Sequence, residues 1–339
     1  MRRDKATFAM IVGIPLIQLI LFGYAINLNP RHLPTAIVNQ EPSEFSRRIL
    51  KSMENSTYFQ FISPSVSERE ANLLLKKGYV QFVVNFPPNF ARDIVKGLKP
   101  SLILQADISL RDELNGSLSF LYNKVLPYQP IVHAVYNPLV ITAYNIVPGL
   151  LGVVLTMTMV IITALAITRE YERGTMENLL ATPLLPFEVM IGKILPYIIV
   201  GYIQVLLILL MAKLLFGVPT QGSIFLLLLL CLPFIAANLA MGLTFSTIAS
   251  NQLQAVQSAM FFFLPSILLS GFMFPFRGMP EWAQFLGNFL PLTHFLVIVR
   301  GILLKGNGLF DVWQEIFPIL GFMAVVLLIS FKRYRKTLD

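Results

Sequence analysis

Long apolar runs, separated by short polar segments, dominate the second half of this chain. No charged residue occurs in the 63 positions between Lys213 and Arg277. A helix that crosses a bilayer needs roughly 20 apolar residues, so this stretch alone has room for two spans. The polar turn Ser250-Asn251-Gln252 separates them. The pattern therefore predicts a membrane protein with several helical spans.

The same criterion predicts six spans along the whole chain. Apolar windows of sufficient length lie at 6–26, 145–167, 194–215, 223–248, 255–274 and 316–331. The first window is too long for the apolar core of a signal peptide and has no small-residue cleavage site after it, so we expect a retained helix. A further apolar segment, 283–299, is short and contains Asn288, Pro291 and His294. These interruptions favour an interfacial or re-entrant segment over a span.

Basic residues near both termini predict the orientation. Arg2 and Arg3 precede the first span and 332–336 follows the last, and Lys and Arg are enriched on cytoplasmic flanks. With six spans both termini lie on one side, so we expect a multi-pass protein of the bacterial inner membrane with cytoplasmic termini. Residues 27–140 then lie outside. Their twelve Lys and Arg do not oppose this, because segments longer than about 60 residues translocate largely regardless of charge.

Residues 27–140 alternate between strand-like and helix-like patterns. Runs rich in β-branched and aromatic residues predict strands at 35–38, 58–62, 79–86 and 101–108. Helices are predicted from the capping residue Ser67 to Gly78, from Pro87-Pro88 to Gly97, and over 110–125. The predicted fold is an all-α bundle of six transmembrane helices with a small mixed α/β extracytoplasmic domain between the first two spans. The corresponding division is 1–26, 27–140 and 141–339, the last containing a cytoplasmic loop at 168–193 and an outer re-entrant segment at 275–300.

The composition limits the partners and the reactions that this chain is expected to have. The chain is 55% hydrophobic and 13% charged, and its net charge of +8 is spread along the flanks of spans rather than gathered in one patch, so no nucleic acid partner is indicated. Cys231 is the only cysteine, which excludes an internal disulfide and a thiolate cluster. The sequence contains no phosphate-binding G-x-x-x-x-G-K-S/T loop and no nucleophile–base pattern. We therefore expect no enzyme activity, catalytic residue, metal site or cofactor in this chain.

The loop at 168–193 is the most charged segment next to the membrane. Gly174-Thr175 predicts a helix stop followed by an N-cap, with a short helix before Pro183. Leu179 and Leu180 on one side of that helix would fit a groove in a partner protein. A solvated loop that only joins two spans explains the same residues about as well.

The motifs in and around this loop resemble a known family. Residues 169–184 read R-E-x-E-R-G-T-x-E-x-L-L-x-T-P-L, and G-K and F-G-V-P follow at 192–193 and 216–219. Other matching motifs are PLIQ at 15–18, FGYA at 22–25, LSGF at 269–272, MPEW at 279–282 and LPLTHF at 290–295. Together they resemble the permease family of ABC type-2 transporters. The large domain between the first two spans is similar to the multidrug efflux subgroup.

This resemblance implies partners and an energy source. The chain would be the permease subunit of an exporter, coupled through the loop to a cytosolic ABC ATPase that holds ATP and Mg. A second permease copy, identical or paralogous, would complete the path, with membrane lipid and a periplasmic adaptor as further candidate partners. Members of the family also have a helix at the cytoplasmic interface before the first span. Residues 1–5 are too few to form it, so we expect either a shortened N-terminus or the loss of this interface helix. The coupling candidates are Glu170, Glu172, Arg173, Gly174, Thr175, Glu177, Leu179, Leu180 and Pro183.

Polar residues within spans and the segment after the fifth span are candidates for the cargo route. Bonds between helices are the more common role of such polar residues. Many Phe and Met in the fifth span fit a hydrophobic or amphipathic cargo, drug-like or lipid-like, that is moved outward. The path candidates are Gln18, Thr156, Gln204, Asn238 and Gln257. The outer-gate candidates are Phe274, Pro275, Trp282 and His294.

Two other classes of protein compete with the exporter. An ion-coupled secondary efflux transporter normally carries ionisable residues within its spans. The predicted spans contain almost none, and Lys213 is close enough to a helix end to reach the interface. A membrane-anchored sensor that binds through the outer domain would leave the charged loop unexplained.

Overall fold

Among the residues that the structure describes, five strands with short helices precede a bundle of long helices. The computed structural model describes residues 32–56, 58–62, 65–106, 128–134, 142–172, 186–274 and 276–336. The predicted first span, with Gln18, and the predicted helix at 110–125 lie outside the described residues.

The α/β domain contains a mixed sheet in the order β2-β1-β3-β4-β5. Its strands are β1 (Leu33–Asn39), β2 (Phe59–Phe61), β3 (Phe82–Phe86), β4 (Ser101–Ala106) and β5 (Gln129–Ala134), and its helices are α1 (Glu44–Asn55), α2 (Glu68–Lys77) and α3 (Phe90–Val95). The four predicted strands are present, although β3 begins at Phe82 rather than at Tyr79. β5 was not predicted. It contains Pro130 and lies at the end of the strand order, where a residue without an N–H is tolerated.

The strand directions place the start of β1 and the end of β5 at the same end of the sheet. β1 runs parallel to β3, β3 runs antiparallel to β4, and β4 runs parallel to β5. β5 is therefore antiparallel to β1, so the start of β1 and the end of β5 point toward the same end of the sheet.

Helices cover both faces of the sheet. On one face, Phe59 and Phe86 from the strands pack with Met53 of α1 and Phe90 of α3. On the other face, β1 and β3 pack against α2. The predicted ends of α2 are confirmed. The Ser67 hydroxyl accepts a hydrogen bond from the Glu70 amide at 3.2 Å, and Gly78 ends the helix with φ of +76°.

Five helices in the described part of the chain are long and apolar enough to cross a membrane. They are α4 (Thr142–Glu172), α5 (Pro186–Phe216), α6 (Ile224–Ile248), α7 (Gln252–Leu269) and α10 (Leu309–Lys336). They correspond in order to the second to sixth predicted spans. Between the last two lie α8 (Glu281–Gly287) and α9 (Pro291–Lys305), which are bent by 83° and would add a span only if the pair crosses as one unit.

The region after the fifth span differs in detail from the expectation. α7 ends at Leu269 rather than at Phe274, because Gly271 takes φ of +83°, a conformation that stops a helix. The predicted interruption of the next segment is confirmed at Asn288 and Pro291, where Leu290 is extended as a residue before proline tends to be, but His294 lies inside a continuous helix. Pro291 occupies the first turn of α9, where proline is favoured, and the helix continues to Lys305.

α6 lies at the centre of the bundle and packs against α4 and α10. Its approach to α4 is close at Gly242, where an added Cβ would lie 2.5 Å from the carbonyl oxygen of Val160. On the side of α9, the rings of Phe234 and Phe295 stack with their centroids 3.9 Å apart. α5, in contrast, leaves Leu207 more than half exposed, as expected for a helix that faces lipid or another subunit.

Candidate functional site

The end of α4 that carries the charged loop is tied to the start of α7. The Glu172 carboxylate accepts a hydrogen bond from the Gln252 backbone amide at 2.8 Å and a second from the Gln252 side chain. Asn251 caps α7 by accepting from the Gln254 amide at 2.9 Å. Of the coupling candidates, Glu170 and Glu172 are described. Those from Arg173 to Pro183 lie outside the described residues.

The bonds from Gln252 stabilise the charged form of Glu172. They hold the pKa of this carboxyl below its ordinary value, the side-chain bond contributing most. Sequence reasoning missed Gln252 as a member of this site, because a partner 80 residues away leaves no local pattern. The polar turn between two apolar runs was the only hint.

We expect the Glu172–Gln252 contact to depend on pH. Because the folded pKa is lowered, the carboxylate stabilises the fold above its ordinary pKa, and this contribution is lost as the pH falls through the lowered value. Hydrogen exchange at the Gln252 amide should be several-fold faster in Glu172→Gln at neutral pH, and this difference should shrink in acid. Glu281→Gln, at an exposed site, is the control, and equal protection in all three proteins would contradict the expectation.

The path candidates mainly bond within the bundle. The Thr156 hydroxyl donates to the Gly152 carbonyl at 2.8 Å, and the Asn238 amide donates to the Phe234 carbonyl at 2.9 Å, each within its own helix. Gln204 instead accepts from the Thr158 hydroxyl at 2.9 Å and so joins α5 to α4.

Two of these candidates retain unused acceptors. The side-chain carbonyl oxygens of Asn238 and Gln257 are buried and have no hydrogen-bond partner among the described residues. Buried polar atoms usually find a partner, so water, another helix or cargo is expected there. Their role in transport stays a prediction.

The outer-gate candidates lie around the bend between α8 and α9. Phe274 packs against a cluster that includes Leu269 and Met279, and Trp282 is 41% exposed. The Thr293 hydroxyl donates to the Gly287 carbonyl at 2.6 Å and so closes the bend. Pro275 lies outside the described residues.

His294 joins the bend to the last helix. Its Nδ1 lies 2.6 Å from Glu315 Oε2 and its Nε2 lies 2.8 Å from the Asn288 carbonyl oxygen. Both neighbours are acceptors, and only the protonated imidazole has two N–H donors. The geometry therefore favours a charged ring paired with Glu315.

The α/β domain contacts the bundle beside this bend. The Tyr79 hydroxyl donates to Gln314 Oε1 at 2.8 Å, and Lys76 Nζ lies 3.7 Å from Asp311 Oδ2. Both bonds connect the end of α2 to the start of α10. Sequence reasoning did not identify this junction, since the two partners of the first bond are 235 residues apart.

Known proteins similar to this chain are transporter permeases. The family described as ABC-2 family transporter protein matches residues 5–332. Probable multidrug ABC transporter permease YbhS of Escherichia coli (strain K12) is 31% identical over 334 residues, covering 90% of this chain and 85% of that protein. Inner membrane transport permease YhhJ of the same organism is 29% identical over 357 residues, covering 95% and 93%.

A more distant relative comes from a eukaryote. ABC transporter G family member 20 of Dictyostelium discoideum is 22% identical over 353 residues, which cover 97% of this chain and 48% of that longer protein. No solved structure matches the chain. The family expected from the loop and its accompanying motifs is confirmed. Because the family match extends over nearly the whole sequence, this chain belongs to the ABC-2 transporter family as a membrane-embedded permease.

Proposed function

We propose that this permease is the transmembrane half of an ATP-driven exporter. It moves a hydrophobic or amphipathic cargo, drug-like or lipid-like, outward from the cytoplasm or the inner leaflet. A separate cytosolic ATPase binds ATP and Mg and contacts the loop that follows α4. Both termini lie in the cytoplasm, and the membrane is the bacterial inner membrane, as the name of the relative YhhJ supports.

The length and charge of α4 carry this proposal. Its 31 residues correspond to about 46 Å, which exceeds a hydrocarbon core of about 30 Å. Part of the excess falls at the charged end, where Arg169, Glu170 and Glu172 follow the apolar part. The loop that contains Arg173 therefore begins outside the bilayer, where a soluble ATPase can reach it.

The contact between Glu172 and Gln252 supports a route for coupling. A displacement of the loop acts on the end of α4 and, through this contact, on the start of α7. α7 leads directly to Gly271 and the bend between α8 and α9. The same helix thus connects the proposed ATPase side with the proposed outer gate.

A second permease copy, identical or paralogous, completes the assembly. α5 and α10 both present apolar side chains outward, as faces toward lipid or a second subunit do. A periplasmic adaptor would bind the α/β domain. The apolar residues of α5 and α10 that are more than half exposed are Leu195, Ile199, Ile203, Leu206, Leu207, Leu210, Leu214, Leu215, Phe310, Phe317, Val325 and Leu328.

We expect transport to require ATP and not the proton gradient. Inverted membrane vesicles that contain the permease and its ATPase should accumulate a hydrophobic fluorescent dye when ATP is added. An uncoupler should leave uptake nearly unchanged, whereas a non-hydrolysable ATP analogue should abolish it. Vesicles without the permease are the control. Uptake that disappears with the uncoupler while ATP is present would instead support the ion-coupled transporter.

A further inference from the structure

A cavity of about 430 Å³ with polar and apolar walls lies where the α/β domain meets the bundle. Its wall is formed by the end of α2, the turn after α7, the bend between α8 and α9, α9 itself and Glu315 of α10. The volume falls in the range of roughly 300–1,000 Å³ that is typical of small-molecule sites. Arg300 of this cavity lies beside Gly149 near the start of α4, whereas the proposed coupling loop follows the end of that helix.

Positive charge predominates in this cavity. Four of the lining side chains are cationic, and the one carboxylate, Glu315, is balanced by His294, which also lines the cavity and lies 2.6 Å from it. A recess with low-dielectric walls concentrates the field of such charges and attracts an ion of opposite sign. The four cationic residues are Lys77, Arg277, Arg300 and Lys305.

The protein positions one of these cations before any ligand arrives. Arg300 Nη1 donates to the Gly271 carbonyl at 3.1 Å, which holds the guanidinium at the turn after α7. Lys77 comes from the α/β domain and Lys305 from the end of α9, so the charges approach the cavity from different parts of the fold. Convergence of this kind is typical of a built site rather than of a solvated surface.

We propose that the cavity binds an oxyanion of the phosphate class. Arginine recognises phosphate through two parallel N–H donors, and lysine adds a point charge. Phe276, Leu296 and Val297 also line the cavity and offer an apolar surface next to the charges. The oxyanion is either the headgroup of an anionic phospholipid at the bilayer surface or free phosphate. This site goes beyond the proposed export function, and its occupancy requires neither ATP nor an ATPase.

The test compares anion sources on the purified full-length chain. Nanodiscs of phosphatidylcholine receive inorganic phosphate in one arm and contain phosphatidylglycerol in the other, and the melting temperature and tryptophan emission are followed. The only two tryptophans, Trp282 and Trp313, flank cavity residues Gln284 and Glu315 closely in sequence, which makes their emission a useful reporter. A response to phosphate alone identifies free phosphate, and a response only to phosphatidylglycerol identifies the headgroup. No response in either arm overturns the proposal.

Two double variants distinguish binding at the cavity from a non-specific attraction of anions to the positively charged protein. Lys77→Gln with Arg277→Gln should raise the concentration needed for a half-maximal response at least tenfold. The matched control is Lys96→Gln with Lys99→Gln, which removes the same charge from exposed positions of the α/β domain. Equal responses in both double variants would overturn the proposal. If the first double variant does not purify as a single species, Lys305→Gln takes its place under the same criterion.

Discussion

Gly242→Val is expected to lower the melting temperature of the detergent-solubilised permease by several degrees and to reduce the yield of monodisperse protein. An added Cβ would lie 2.5 Å from the Val160 carbonyl oxygen and 2.9 Å from the Thr163 Cβ. The first of these atoms belongs to a helix backbone and cannot rotate away, so α4 and α6 must separate. Overpacking usually costs about 1–3 kcal/mol, and a backbone clash at the bundle centre belongs at the upper end.

Gly321→Val is the matched control for this substitution. Gly321 lies within α10, and an added Cβ there meets no atom within 4 Å. Both variants replace a helical glycine by the same β-branched residue, so the change in helix propensity is the same. The difference between their melting temperatures therefore measures the contact between α4 and α6. Equal values would show that the two helices do not approach this closely.

Glu170→Ala combined with Arg173→Ala is expected to separate the permease from the proposed ATPase. Truncating one partner of a buried charge pair at an interface costs about 2–5 kcal/mol, mostly through the charge left unpaired. Since each 1.4 kcal/mol corresponds to a tenfold change, association should weaken at least tenfold. Pull-down of the ATPase and its permease-stimulated hydrolysis both measure this loss.

The control for the loop is Arg335→Ala with Lys336→Ala. These residues are charged and belong to the predicted cytoplasmic end of the chain, but they lie outside the loop motif. The melting temperature of each variant shows whether the fold is intact. Unchanged association in the loop variant, with an intact fold, would exclude the loop as the coupling contact.

Structural features that depend on neighbouring residues in the sequence were predictable. The five described membrane helices, the capping of α2 at Ser67 and its end at Gly78 all follow from local patterns. The end of α7 was placed five residues too late, because apolar character continues to Phe274 while the backbone turns at Gly271. β5 was missed because Pro130 weakens a strand pattern.

The candidate sites were less accessible to sequence reasoning. Motif resemblance identified Glu172, but its partner Gln252 depends on how two helices are placed in three dimensions. The cavity joins Lys77 to residues more than 190 positions further along the chain. In the sequence, each cationic residue of the cavity resembles an ordinary surface residue. Only the folded chain brings these residues together.

The direction of β5 relative to β1 makes the α/β domain suitable for exchange as a unit. Both strands that connect it to the rest of the chain have their open ends at the same end of the sheet. The corresponding domain of a relative can therefore be exchanged at two junctions on one side of the sheet while the helices keep their order. The bonds of Lys76 and Tyr79 to α10 are what such an exchange has to rebuild.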